Sequence, residues 1–227
     1  MIAALARALS QLLLPPLRRV VALSLGIAVL TFALLWFGVA VVLGHASFFA
    51  WRPLDWLADL LGAVAVLLLT WLLFPTALTA IMSCFVDRVA GAVEAVDYPG
   101  RGPPRHQPLT EMAATTLRLM GAALVLNLLA LPVYLLAPGI NVFLFLALNG
   151  YLLGREYFEA VALRRLDVAA AKAMRDQFRW RVFLGGVVIA GLFALPLVNL
   201  IAPVIATVFM LHIFEGLPRA GLQIIRR

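Results

Sequence analysis

Three groups of residues in this sequence have types and spacings that could do chemistry. The first lies in "LLLPPLRRVVALSLG", residues 12–26, where Pro15 and Pro16 lead into Arg18 and Arg19. Proline suits the first turn of a helix, where a missing N–H costs nothing. A helix starting there directs free N–H groups and the positive end of its dipole outward. Such donors beside two guanidinium forks form an oxyanion site. Cations at a helix N-terminus oppose its dipole, so an anion would relieve them. The competing reading makes both arginines interfacial anchors of a membrane helix.

The second group is Arg155, Glu156 and Glu159 in "GREYFEAV", residues 154–161. Arg155 and Glu159 have the i,i+4 spacing of a helical ion pair. They read either as a solvated surface pair or as a charge network at a cytoplasmic mouth. The third group is Asn127, Asn141, Asn149 and Asn199, beside two broken apolar phrases. These amides either line a path or cap broken helix ends and bond between helices. No phosphate-binding glycine loop and no nucleophile elbow occur, so no enzyme is expected. No acid sits in mid-segment, since Glu156, Glu159 and Glu215 lie at segment ends. That favours passive or gradient-driven passage over proton coupling. Cys84 is the single cysteine, and His45, His106 and His212 stand apart, so neither metal nor cofactor is expected.

The elements that position these groups are set by composition. The 227 residues are 64% hydrophobic and 13% charged, with a mean hydropathy of +1.04. A soluble domain of this size cannot hide that much apolar surface. Hydrocarbon is therefore the expected solvent. No charge occurs between Arg19 and Arg52, and residues 20–43 are long enough to cross a bilayer. The run is too long for the apolar core of a signal peptide, despite the small residues Gly44 and Ala46 after it. A second uncharged stretch, 60–86, also spans, with a kink expected at Pro75 and hydroxyls from Thr76 and Thr79 nearby.

Two further apolar regions are interrupted. "LLALPVYLLAPG" (128–139) and "LFALPLVNLIAPV" (192–204) repeat nearly the same phrase. Arms over 119–131 and 140–154, and over 182–195 and 204–214, are expected to stop at Pro132 and Pro196. They restart after Pro138-Gly139 and Pro203. Arms of this length read as half-penetrating hairpins, with tilted or extended full crossings as the alternative. Such paired broken segments often mark a substrate path.

The net charge is +7 and the isoelectric point about 10.7. In a soluble protein that would suggest nucleic acid. Here topology accounts for it. Arg7, Arg18 and Arg19, then Arg88, Arg101, Arg105 and Arg118, then seven basic residues from Arg155 to Arg181, then Arg219, Arg226 and Arg227 all fall on one side. Only Arg52, with Asp55 and Asp59, falls on the other. The positive-inside rule makes the basic side cytoplasmic, with both termini there. Nucleic-acid binding is dropped. Between the spans, residues 97–108 read as an irregular loop, and the charged stretches after 86 and over 154–183 as cytoplasmic helical extensions.

These residues resemble the CysZ-type sulfate permeases, within the wider etoposide-induced-protein family of membrane proteins. "PLRRVVAL" (16–23) is similar to the opening of the family's first membrane helix. "FVDRVAGAVEAV" (85–96) is similar to the emergence of its second. "GREYFEAV" resembles the close of its first hairpin, and "LPLVNLIAPV" (195–204) the tip of the second. Pro16 departs from a common glycine, and the aspartate-tyrosine-proline ending after "GREYFEAV" is missing.

The chain is expected to form a single membrane domain over 1–227, and the resemblance implies an all-α integral membrane protein. It would have two long transmembrane helices and two proline-broken, half-penetrating helical hairpins, over 119–154 and 182–214. It also implies sulfate or similar oxyanion uptake for sulfur assimilation, in a homo-oligomer in the bacterial inner membrane. Leu17, Arg18 and Arg19 would bind the anion, and Arg155, Glu156, Glu159 and Asn199 would line or gate its path. The rival is a non-transporting scaffold that binds partner proteins or anionic lipid through the small-residue face Gly150-x-x-x-Gly154 and the basic helices.

Overall fold

The computed structural model describes residues 1–45, 60–68, 70, 74, 81 and 85–218. Among these, every regular element is helical. α1 (Ile2–Gln11) is a short amphipathic helix, and α2 (Pro15–His45) contains the whole predicted span 20–43. Residues 60–68 are helical (α3), in agreement with the start of the second expected span. The kink at Pro75, the loop holding Arg52, Asp55 and Asp59, and the basic tail lie outside the described residues. α4 (Val86–Asp97) follows, then a turn of 3-10 helix, Pro99–Arg101. α5 (Leu109–Leu136) and α6 (Asn141–Ala162) flank a second such turn, Pro138–Ile140. α7 (Val168–Gln177) and α8 (Arg179–Ala194) meet at 89°. A single turn, α9 (Pro196–Asn199), precedes α10 (Ala202–Glu215).

α2 and α5 are long and apolar enough to cross a membrane. One bound of the first expected hairpin is corrected. Its outer arm does not stop at Pro132 but runs through it, for 28 residues instead of thirteen. A proline inside a helix removes one hydrogen bond and crowds the carbonyl four residues back, at about 3 kcal/mol. Here only one helical turn lies beyond it, and the rest of α5 holds. The true stop is Ala137, at φ −133° and ψ 65°, because the residue before a proline is pushed out of helical conformation. The second phrase obeys the expected rule. Leu195, ahead of Pro196, is extended at φ −90° and ψ 116° and ends α8. The two similar phrases therefore fold differently.

α10 forms the centre. Every residue from Ala202 to Phe214 is buried. A helix apolar all round has no face to give to water, so it is enclosed. α1, α4, α6 and α8 pack around it, with Leu17, Phe158, Met174 and Ile189 in the same core. The second close interface joins α6 and α8 through glycine. A Cβ on Gly186 would lie 1.9 Å from the Gly150 carbonyl oxygen and 2.5 Å from the Gly154 nitrogen. A Cβ on Gly154 would lie 2.6 Å from the Val182 carbonyl oxygen. The Gly150-x-x-x-Gly154 face is thus occupied within the subunit, which removes it from the scaffold reading.

This contact makes Gly186→Ala a backbone collision. Overpacking of this kind costs about 1–3 kcal/mol. Thermal unfolding in detergent is expected to show that loss for Gly186→Ala and none for Gly121→Ala, whose Cβ meets nothing within 4 Å.

Candidate functional site

The first turn of α2 is oriented by its inner face. Leu17, Val20 and Ser24 are buried at helical spacing, which turns Arg18 and Arg19 outward to an exposed surface. Among the described residues neither arginine has an acidic partner or a hydrogen-bonded side chain. The main-chain contribution is smaller than the sequence suggests. Pro15 and Pro16 carry no N–H, and the Arg18 N–H donates to the Leu14 carbonyl at 3.0 Å. Anion capture here rests on the two guanidinium groups, not on a fan of free amides.

Arg155, Glu156 and Glu159 lie near the end of α6, and they are more than a surface pair. Arg155 Nε donates to Glu159 Oε1 at 2.9 Å, and Arg175 of α7 donates to the same oxygen. All three side chains are largely buried, at 17%, 11% and 16% exposure in the order Arg155, Glu159, Arg175. Glu159 stands in the wall between two adjoining cavities. One, of about 510 Å³, is lined by Asp87, Thr116, Glu156 and Arg164. The other, of about 330 Å³, is lined by Arg118, Arg155, Lys172 and Arg175. Glu156 lines the first cavity with an accessible side chain, yet the crowding of protein around it lifts its pKa above the ordinary carboxylate value. Neither cavity is lined by Arg18, Arg19 or Asn199, so the two predicted groups do not meet there.

The asparagines divide. Asn127 and Asn149 donate to carbonyls four residues back, and Asn141 Nδ2 donates across the turn to the Tyr134 carbonyl at 3.2 Å. Asn199 Oδ1 is buried and, among the described residues, has no hydrogen-bond partner.

Two networks were not visible in spacing. Arg164 and Arg165, in the turn after α6, grip α4. Arg164 donates to Asp87 Oδ1 at 2.6 Å and to Glu94 Oε2 at 3.0 Å. Arg165 lies 2.8 Å from Glu94 Oε2 and donates to the carbonyls of Arg101, Gly102 and Pro103. The loop over 97–108, expected to be irregular, holds one turn of 3-10 helix and is pinned; Gly102 has the positive φ of 69° that ends that turn. The partners stand about 70 residues apart, beyond any local rule. The second network ties α1 to the centre. Gln11 donates its amide to Asp97 and accepts from His212 Nε2 at 2.9 Å, while the Tyr98 hydroxyl donates to His212 Nδ1 at 2.8 Å. An amide oxygen only accepts, so the imidazole proton sits on Nε2. Burial, with Glu215 and Asp97 nearby, pushes the Tyr98 pKa up and keeps its hydroxyl a donor. The sequence clue was His212, a lone polar ring in an apolar run.

Residues 4–203 match the family described as Sulfate transporter CysZ/Etoposide-induced protein 2.4. The chain belongs to this family. Its long apolar helices and that membership make it a membrane protein of a transporter family. No curated protein matches the chain. Most of α10 lies beyond the stretch matched to the CysZ/etoposide-induced family, although it is the core around which the matched helices pack.

Two outcomes follow for these networks. Glu94→Leu leaves two buried guanidiniums short of a counter-charge. Loss of one partner of a buried pair costs roughly 3–5 kcal/mol, and about 3 is expected here because Asp87 still holds Arg164. Chemical unfolding in micelles measures it. For Glu156, the raised folded pKa means the folded state binds more protons than the unfolded state above the ordinary carboxylate pKa. Stability should then fall as pH rises through the folded pKa, and Glu156→Gln should flatten that slope in a pH series of melting temperatures.

Proposed function

We propose that the protein passes sulfate, or a similar oxyanion, across the bacterial inner membrane into the cytoplasm for sulfur assimilation. The observation that carries this reading is the exposed pair Arg18–Arg19, without an acidic partner among the described residues, at the start of the long apolar helix of a sulfate-transporter family member. Two planar forks side by side suit a tetrahedral oxyanion, and the opposing helix dipole makes an anion welcome. The buried Leu17 holds this turn against the core.

Passage is gradient-driven, with the Arg155–Glu159–Arg175 cluster and Glu156 as a gating group and Asn199 as an unsatisfied polar atom along the path. The second hairpin enters the bilayer only part-way: α8 has 16 residues and α10 has 14, short of the roughly 20 a crossing needs. A subunit with so few long helices encloses little pore, so the working unit is a homo-oligomer. The concentration of basic residues puts both termini in the cytoplasm.

Labelled-sulfate uptake into proteoliposomes tests this. The wild-type protein should exceed empty vesicles, and Arg18→Ala/Arg19→Ala should lose at least about tenfold of that flux, as expected for removing charge-assisted bonds to an anion. Uptake unchanged in the double variant would return both arginines to interfacial anchors. No uptake from folded, oriented protein would sink the permease and leave the scaffold.

A further inference from the structure

The cavity of about 330 Å³ between α5, α6 and α7 carries more positive charge than its own acids balance. Arg118, Arg155, Lys172 and Arg175 line it, against a single carboxylate, Glu159. Asp176, just outside, bonds Lys172 at 3.1 Å and reaches Arg175 at 3.5 Å. Four cations against two carboxylates leave two charges over. Arg155 and Arg175 are largely buried and share one oxygen of Glu159, while the remaining charge stands on the exposed Arg118 and on Lys172 at the rim. Clustered cations with too few acids raise the local positive potential and draw in an anion. Arg118 is exposed and, among the described residues, has no partner of its own.

The position of Arg118 says what kind of anion fits. It lies on α5, directly ahead of the apolar stretch 119–131. Only 6% of that helix's most apolar part is buried, and Leu117, Met120, Leu124 and Leu128 stand exposed along it. The basic cavity therefore opens beside the start of the uninterrupted apolar part of a helix long and apolar enough to cross a membrane, and phospholipid headgroups lie at such a border of charge and apolar surface. We propose that this cavity is a binding site for the phosphate headgroup of an anionic phospholipid, whose acyl chains run along the exposed face of α5. Guanidinium forks match phosphate oxygens, and Lys172 adds a flexible point charge at the rim. The site uses neither Arg18 nor Arg19 and does not depend on sulfate passage.

Native mass spectrometry of the purified full chain tests the site, with phosphatidylglycerol, phosphatidylcholine and inorganic phosphate titrated separately. Phosphatidylglycerol should bind at least about tenfold more tightly than phosphatidylcholine. Arg118→Gln/Lys172→Gln should remove most of that preference, and Arg179→Gln/Arg181→Gln, which removes the same charge elsewhere, should keep it. Arg118→Gln alone, at an exposed and unpartnered residue, serves if the double variant does not fold. Equal binding of the two lipids overturns the proposal, as does equal loss in both double variants, which would mean diffuse attraction. Displacement of phosphatidylglycerol by millimolar inorganic phosphate also overturns it, by making the site one for a soluble oxyanion.

Discussion

A short helix that is apolar on every side must be walled in, and α10 imposes that requirement on the rest of the chain. It is only 14 residues long, yet all but its final residue is buried. Four helices surround it, and each arrives with a different device. α6 and α8 approach one another through glycines whose missing side chains allow backbone contact. α4 is held by the guanidiniums of Arg164 and Arg165. α1 is tied down by Gln11, through Asp97 and His212. At the end of α10, Arg101 pairs with Glu215. Apolar packing fills the interior, and hydrogen-bonded charge closes the rim.

α2 and α5 stand in contrast to this assembly. Their apolar side chains are largely exposed, including Leu30, Leu34 and Phe37 on α2 and Leu128, Leu129 and Leu135 on α5. In a membrane such surfaces need no protein partner, because lipid tails are as apolar as leucine. The polar networks gather instead around the ends of the helices, where Arg155, Glu159 and Arg175 share a buried centre and where Arg18 and Arg19 have no acidic partner among the described residues. The chain thus separates a packed core, a lipid-compatible exterior and a charged layer that adjoins both.

Much of the candidate site was legible because its residues are close in the chain. Arg18 and Arg19 follow two prolines, and Arg155 and Glu159 lie one turn apart. What spacing could not reveal was the third member, Arg175, which reaches Glu159 across the α6–α7 turn. Nor could it reveal that Arg18 spends its own N–H on Leu14. The end of α5 differs from the expected one for a related reason. Pro132 carries the same local signal as Pro196, but a proline close to a helix end removes little, and the stop passes to Ala137 before Pro138.

Residue type and period alone determined the apolar class of the chain, the course of α2, the turn at Pro138-Gly139 and the break before Pro196. These are local or compositional properties, set by side-chain hydropathy and backbone sterics within a few residues. The tertiary structure decided which helix lies at the centre, that Gly150 and Gly154 face Gly186 instead of another molecule, and which acids each arginine meets. Those outcomes depend on contacts between residues tens of positions apart. Their distances are fixed only when the helices pack around α10.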